Sequence, residues 1–289
     1  MSQNSQGKRN HFVPEMLTKR FLDDKGNIHY FDKRAPLKGV ITGIPKNVFL
    51  ETHLYTFEEQ DGTKNTQLEA YFAKLEGVVD KIIDKIVIAA RKGQRPNLTY
   101  EEREKWDLFF YYQWKRSPDV IGEVHSLINF DDTLQKVISE VESLLSLTEE
   151  QKRELKDPVT IKRIKKGATV AAISRPGLEV QKALSKMGLG IIVIQNPKKS
   201  FVIGSKSVLR LIPKGSKLGD PAAEVWLPIA HDIVVGPGPI SPNEEWIIKM
   251  PDEKIREFNE AMFKQSKGIA GRSNELISSL ARVRHLKRN

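Results

Sequence analysis

The feature of the sequence that most constrains the fold is one apolar stripe between residues 66 and 92. Its members recur at steps of three and four residues, the spacing that places side chains on one face of an α-helix. They are Leu68, Phe72, Leu75, Val79, Ile82, Ile83 and Ile86. Gly93 and Pro96 follow the stripe and are typical of a helix end. The pattern therefore predicts a long helix that buries one face.

A second helix is indicated directly after the first. Thr99 is followed three residues later by Glu102, the capping-box spacing that begins a helix. The apolar pattern then continues as far as Pro118. Because the linker is short, we expect the two helices to pack antiparallel. The predicted contact residues are Phe72, Leu75, Val79, Phe109 and Phe110.

The pattern changes to that of strands after Gly188. A β-branched apolar segment over 190–195 precedes a turn at 196–199, and further short extended segments follow to about residue 240. Such local strand pairs favour antiparallel pairing. The sequence thus predicts an α+β fold, with a helix-rich layer packed on a small, mostly antiparallel sheet. We also expect the helices to outnumber the strands.

The patterns predict a single domain over residues 11–280. Its helical part covers about 66–185 and its sheet part about 188–240. Residues 1–10 are expected to form a flexible polar arm, and residues 281–289 a basic tail. A chain of 289 residues with 39% hydrophobic content is long and apolar enough to bury a sizeable core.

The amino-acid composition limits which cellular compartments are expected for this chain. The chain has no cysteine, which excludes disulfides and zinc sites built on thiolates and fits a reducing compartment. The polar start lacks the apolar segment of a signal peptide. No apolar run approaches the roughly 20 residues that a membrane helix needs. We therefore expect a cytoplasmic protein without a membrane partner.

The charge balance points to polyanions. With 47 Lys and Arg against 37 Asp and Glu, the net charge is +10 and favours partners that carry phosphates. Nucleic acid is the expected partner, whereas a protein partner is unknown. The alternative is a solvated basic surface. The predicted contact residues are Lys162, Arg163, Lys165, Lys166, Arg282, Arg284, Lys287 and Arg288.

Several catalytic signatures are absent from the sequence. There is no phosphate-binding GxxxxGK[ST] loop, no GxGxxG, no HExxH and no GxSxG. The six histidines are dispersed, and none forms an i,i+4 metal-ligand pair. These absences remove the commonest enzyme classes but leave other enzyme activities open.

The opening residues His11, Phe12, Val13 and Pro14, followed by Leu17 and Phe21, resemble the start of a bacterial family, domain of unknown function family 4238. Further segments are similar to that family: 30–32, 69–76, 113–118 with Arg116, the strand ending at Ser205, 227–228, and Asn259. One departure is clear, because Lys206 and Val208 stand where the family has Asp and Pro. The resemblance implies a shared fold and no established activity.

Four residues form the candidate catalytic set: His11, Glu69, Glu76 and Arg116. On a helix, Glu69 and Glu76 share roughly one face. With a histidine they could hold Mg²⁺ or Mn²⁺ for phosphodiester hydrolysis, while Arg116 at a helix end could bind phosphate. The alternative for each residue is structural: a buried histidine at a helix start, an exposed glutamate pair, and an Arg–Glu ion pair.

Ser205 is a further candidate. It follows Gly204 at a strand end, where nucleophilic serines can occur. The sequence shows no base partner for it, and the adjacent pair His231 and Asp232 does not make a triad. A turn serine is therefore the favoured interpretation.

Two functional hypotheses remain, and a small-molecule hydrolase that uses Ser205 is a third alternative. The first is a nucleic-acid-associated protein, with metal-dependent nuclease activity in a defence or mobile-element context. The second is a non-catalytic interaction module in which the His, Glu and Arg residues form a buried structural network. Convergence of the four candidate residues in an open pocket would favour the first hypothesis, and mutual burial would favour the second.

Overall fold

A computed structural model of the protein describes residues 9–59, 62–175, 177–216, 220, 222–238, 241 and 244–286. Its α-helices are α1 (Glu15–Thr18), α2 (Gln67–Arg91), α3 (Tyr100–Lys115), α4 (Pro118–Leu127), α5 (Phe130–Leu144), α6 (Glu149–Lys156), α7 (Pro158–Ser174), α8 (Leu178–Ser185), α9 (Asp252–Gln265) and α10 (Asn274–Leu286). Three short 3₁₀ segments cover Lys19–Phe21, Pro36–Lys38 and Pro45–Asn47.

Along the chain, the strands come before and after the helical region formed by α2 to α8. They are β1 (Arg9–His11), β2 (Ile28–Asp32), β3 (Ile41–Gly43), β4 (Leu50–Thr52), β5 (Phe57–Glu58), β6 (Lys64–Asn65), β7 (Leu189–Val193), β8 (Ile203–Gly204), β9 (Leu209–Leu211), β10 (Glu224–Ala230), β11 (Ile233–Pro237), β12 (Glu245–Lys249) and β13 (Gly268–Gly271).

Two sheets carry most of the strands. One has five strands in the order β12-β7-β11-β10-β9, and the other has four in the order β3-β2-β13-β8. The remaining strands form the pairs β1-β4 and β5-β6. Strand β12 runs parallel to β7, whereas the other described pairs are antiparallel. The predicted α+β class with mostly antiparallel strands is confirmed.

The predicted helix pair is present as α2 and α3. A capping box formed by Thr99 and Glu102 begins α3, as the spacing indicated. The helices run antiparallel, since the ring of Phe72 lies 5.1 Å from that of Tyr112 while Lys85 pairs with Glu102 at 2.7 Å. All the predicted contact residues are buried: Phe72, Leu75, Val79, Phe109 and Phe110.

The distribution of strands differs from the sequence-based expectation. Outside the 188–240 segment, the sequence also predicts a strand directly after the turn at 24–26, and β2 (Ile28–Asp32) lies there; the strands at 245–271 were not predicted. Within the described residues thirteen strands accompany ten α-helices, so the prediction that helices outnumber strands is wrong. Many of these strands have two or three residues, and segments that short cannot show the alternation by which a strand is recognised in sequence.

One hydrophobic core joins the helix pair to the five-stranded sheet. Ile191, Leu227 and Val235, on the three adjacent strands β7, β10 and β11, are fully buried together with the apolar face of α2. Later in the helical region, α7 packs on α6 and on strand β5. Of the helices that are described, none combines the length and the apolar character needed to cross a bilayer.

Candidate functional site

The opening motif is anchored between the helix pair and a short strand. Strand β1 pairs antiparallel with β4, and the Phe12 N–H donates to the Phe49 carbonyl at 3.1 Å. Phe12 and Val13 are buried, and Pro14 precedes the first turn of α1. The two apolar side chains and the rigid proline therefore fix the position of His11.

His11 is half-buried at the end of β1. Its Nε2 is enclosed and has no hydrogen-bond partner among the described residues. Burial lowers the pKa of the imidazole below its usual 6.5, although the carboxylates of Glu15 and Glu76 oppose this shift. The structure thus brings His11 near Glu76, as the candidate set required, and favours its neutral form. A catalytic role for His11 stays a prediction.

Arg116 caps the C-terminal end of α3 and is 1% exposed. Its Nε donates to the Phe12 carbonyl at 3.0 Å, and its Nη1 donates to Oε1 of Glu76 at 2.8 Å. With the Gln113 amide oxygen turned toward the arginine, Nη2 donates to it at 2.8 Å. The guanidinium carbon lies 5.0 Å from the centre of the Phe72 ring. Phe12, Phe72, Glu76, Gln113 and Arg116 form what we call the Arg116 cluster.

The two glutamates of the candidate set have different partners. Glu76 binds Arg116, whereas Oε1 of Glu69 accepts a hydrogen bond from the Thr56 hydroxyl at 2.7 Å. In the described part of the chain, no three histidine, aspartate or glutamate side chains are arranged to hold one metal ion. The pairing of Glu69 and Glu76 on Mg²⁺ or Mn²⁺ therefore stays a prediction.

Ser205 is enclosed by polar partners rather than open to a substrate. Its hydroxyl donates to a carboxylate oxygen of Asp119 in a short hydrogen bond. The Ser205 Oγ itself accepts the backbone N–H groups of Lys267 and Gly268 at 3.0 and 3.1 Å. Ser205 is 3% exposed. This geometry supports the structural interpretation, because the hydroxyl joins β8 to the start of β13.

Two other positions of the resemblance also hold chain segments together. Asn259 is buried in α9, where its side chain accepts the Val202 N–H at 3.0 Å and donates to the Ser200 carbonyl at 2.8 Å. Lys206 is buried and pairs with Glu123, which also accepts from Arg210 at 3.1 Å. The lysine that replaces the family's aspartate is thus neutralised within this chain.

A separate open cavity of about 1030 Å³ lies between the helical region and the segment around β4 to β6. Cationic side chains come from β6 and α7: Lys64, Lys162, Arg163, Lys165 and Lys166. Among the described lining residues, two carboxylates accompany them, those of Glu59 and Asp131. Hydroxyl and imidazole groups complete the polar lining: Thr52, His53, Thr56, His125, Ser126 and Thr169. We call this site the basic cavity.

The cations of the basic cavity are held to different degrees. Lys165 pairs with Asp131 at 2.6 Å, and Nζ of Lys166 donates to the Leu54 carbonyl at 2.8 Å. Burial lowers the pKa of the Lys166 ammonium. Lys162 and Arg163 make no ion pair with any described residue. Within the described part of the chain, these two cations have no counter-charge that an anionic ligand would have to displace.

The predicted basic tail is described only in part. Arg282 is exposed on α10, and Arg284 belongs to the same helix. Lys287 and Arg288 lie outside the described residues. Arg282 does not line the basic cavity, so the α7 cations and the described start of the tail are separate features.

Comparison with known proteins identifies the family. A family model described as "Protein of unknown function (DUF4238)" matches residues 9–275. The chain belongs to DUF4238. No curated protein and no solved structure gives a significant match to this DUF4238 chain. The match covers the Arg116 cluster and the basic cavity alike, and the family description assigns no activity to either.

The sequence-based reading of this DUF4238 protein missed His53 and His125 as neighbours of the α7 cations. Both line the basic cavity, yet they stand 72 residues apart in the chain. No local motif joins them, because the loop after β4 and the end of α4 meet only through the tertiary fold. Asp119 was missed for the same reason, and the helix start at Ser117 and Pro118, which could have drawn attention to it, was interpreted only as the end of the preceding helix.

Proposed function

We propose that this protein binds nucleic acid through the basic cavity. The observation that carries the proposal is the concentration of five cationic side chains around one open cavity, with Lys162 and Arg163 left without ion-pair partners in the described residues. Phosphate oxygens would supply the missing counter-charges, and the release of condensed cations from the nucleic acid would favour binding.

The size and composition of the cavity support this class of ligand. A volume of about 1030 Å³ lies at the upper end of the roughly 300–1,000 Å³ typical of ligand sites, so it has room for more than a single phosphate. Threonine and serine hydroxyls beside the cations can donate to phosphate and sugar oxygens. The net charge of +10 adds a long-range attraction toward polyanions.

The proposal is tested by fluorescence anisotropy with labelled single-stranded RNA and DNA over a range of salt concentrations. Lys162→Ala/Arg163→Ala should weaken binding about tenfold or more at low salt. It should also reduce the salt dependence, because each lost phosphate contact removes roughly 0.7–0.9 from the slope of log K against log salt. A matched control is Lys198→Ala/Lys199→Ala, which removes two exposed cations at the turn after β7.

This control tells whether nucleic acid binds at the basic cavity or is attracted only by the overall net charge. If both double variants weaken binding equally, net charge rather than the basic cavity accounts for the affinity. If the unaltered protein shows no binding at low salt, the proposal fails.

A second proposal concerns the Arg116 cluster, which we infer to be structural. Its support is the burial of Arg116 together with a partner for each of its donor nitrogens: Phe12, Glu76 and Gln113. None of His11, Glu69, Glu76 and Arg116 lines the basic cavity. The pair of Arg116 and Glu76 supports the interaction-module hypothesis, whereas Glu69 binds Thr56 and Nε2 of His11 has no partner among the described residues. A structural Arg116 cluster is compatible with nucleic-acid binding at the basic cavity.

Metal-dependent nuclease activity, with Glu69 and Glu76 binding Mg²⁺ or Mn²⁺, stays a separate proposal. It is tested by incubating the protein with DNA and RNA, with either metal and with EDTA. Cleavage that needs the metal and is lost in Glu69→Gln, while Glu69→Gln still binds RNA, would support it. Intact DNA and RNA in the presence of both metals would count against it.

A further inference from the structure

Two histidines in the basic cavity are not explained by binding alone. His53 follows β4, and His125 lies in the last turn of α4. Both line the same cavity as the cations of α7. Each has one ring nitrogen directed at a threonine hydroxyl, and the hydrogen bonds of those two hydroxyls define which nitrogen of each ring carries a proton.

The hydroxyl beside His53 uses its proton in a hydrogen bond to a carboxylate. Thr56 donates its proton to Oε1 of Glu69 at 2.7 Å, since an ionised carboxylate can only accept. The Thr56 oxygen therefore faces Nδ1 of His53, at 3.4 Å, as an acceptor. The proton of the neutral imidazole is placed on Nδ1, and Nε2 has no partner among the described residues.

The hydroxyl beside His125 also uses its proton in a hydrogen bond, here to a backbone carbonyl. Thr169 donates to the Lys165 carbonyl one helical turn earlier, at 2.8 Å. Its oxygen is left as an acceptor for Nε2 of His125, at 3.2 Å. The proton is thus placed on Nε2, and Nδ1 is without a partner in the described part of the chain. Each threonine orients one imidazole, and the opposite ring nitrogen, which has no partner among the described residues, can exchange a proton.

The backbone at His53 and the ring of His125 are also constrained. His53 has a backbone φ of +53°, a left-handed conformation that costs free energy for a residue with a side chain. The ring of His125 stacks on Phe130, with 4.6 Å between the centroids and 11° between the planes. Two oriented imidazoles beside several cations make up the groups needed for acid–base cleavage of a phosphodiester.

We propose that the basic cavity cleaves RNA without a metal ion, with His53 and His125 as the general acid–base pair. One imidazole takes the proton of a ribose 2′-hydroxyl through its free nitrogen while O2′ attacks phosphorus. The bond from phosphorus to O5′ breaks, and the other imidazole, in its protonated form, gives its proton to O5′. The products are a 2′,3′-cyclic phosphate and a 5′-hydroxyl, so no water or co-reactant is consumed.

The lysine and arginine side chains have a distinct part in this reaction. Negative charge accumulates on the non-bridging oxygens as O2′ attacks, and Lys162, Arg163 and Lys166 would stabilise it. DNA lacks the 2′-hydroxyl and can bind without being cut. The inference rests on the proposed function, because the same cavity must first hold the nucleic acid.

The test uses the full chain, an end-labelled RNA and the same sequence with 2′-O-methyl groups, both in excess EDTA. We expect cleavage of the RNA to products with 2′,3′-cyclic phosphate ends, and binding without cleavage of the 2′-O-methyl strand. His53→Ala and His125→Ala should each lower the single-turnover rate by about 10²–10⁴-fold. Circular dichroism spectra and melting temperatures of both variants should match those of the unaltered protein, which shows that both variants fold.

The controls separate the proposed chemistry from its alternatives. His231→Gln removes a histidine outside the basic cavity and should cut at the unaltered rate. RNA that is bound but stays intact in EDTA overturns the cleavage and leaves the binding proposal standing. Equal cleavage by the His53→Ala/His125→Ala protein, purified identically, shows a contaminating nuclease and overturns it too. If neither strand binds, both proposals fall together.

Discussion

Nη1 of Arg116 lies 2.8 Å from Oε1 of Glu76, and the same guanidinium binds the carbonyl of Phe12. One buried side chain therefore connects three segments: the opening motif, α2 and the end of α3. The most specific part of the family resemblance, at His11 to Pro14, and the arginine at the end of α3 are thus parts of one contact.

Replacing the buried arginine should destabilise the fold. Arg116→Met leaves the Glu76 carboxylate and the Phe12 carbonyl without their donor, and we expect the free energy of unfolding to fall by about 3 kcal/mol. Urea denaturation measures the change. Arg256→Met is the control, because its pair with Glu260 is about one-third exposed on both sides and should cost less than about 1 kcal/mol. Equal losses in the two variants would contradict a structural role for the Arg116 cluster.

The burial of His11 predicts a pH dependence of stability. Because burial lowers its folded-state pKa below 6.5, the unfolded chain binds a proton more readily as the pH falls. The wild type should therefore lose stability between about pH 7 and pH 5, and His11→Gln should lose less. Urea midpoints of both proteins across this range give the difference. Burial also lowers the pKa of His231, but that residue is common to both proteins and cancels. Parallel pH curves would argue against a neutral, buried His11.

Ser205 should be needed for stability and inert as a nucleophile. Ser205→Ala removes the acceptor of two backbone N–H groups and the donor to Asp119, at an expected cost of about 1–3 kcal/mol in thermal unfolding. A fluorophosphonate probe, which reacts with activated serines, should leave the native protein unlabelled. Labelling that disappears in Ser205→Ala would restore the hydrolase hypothesis.

The helix pair offers a matched test of core packing. Leu75 is 7% exposed in the contact between α2 and α3, and Val78 on the same helix is 44% exposed. Leu75→Ala should reduce the free energy of unfolding by about 2–5 kcal/mol. Val78→Ala should change it by less than about 1 kcal/mol. Chemical denaturation of both variants measures the contrast, and comparable losses would show that the stripe is misassigned.

The sequence was most informative where the signal was local and periodic. The stripe from Leu68 to Ile86 and the capping box at Thr99 predicted α2 and α3 closely, because helix contacts repeat within four residues. The pairing of short strands such as β1 and β8 could not be predicted. They have two or three residues, and their pairing depends on partners that lie far away in the chain.

The candidate sites show the same limit. The α7 quartet from Lys162 to Lys166 was recognised as a cluster because its members are adjacent in sequence. That Glu76 rather than Glu69 binds Arg116 could not be predicted, since both glutamates fit one helix face and only the packing of α2 on α3 selects between them. His53 and His125 carried no signal at all until the fold placed them in one cavity.

The position of β13 has a consequence for how the chain folds during synthesis. This strand, Gly268–Gly271, lies between β2 and β8 in the four-stranded sheet. When residues up to 204 have left the ribosome, β2 and β8 are therefore both outside it, whereas β13, which pairs with both, is not. Until about 65 further residues emerge, β2 and β8 expose unpaired edges of the kind that template aggregation. Until β13 is inserted, nascent chains of this protein should avoid aggregation only if a chaperone covers these edges or if collisions between chains are slow.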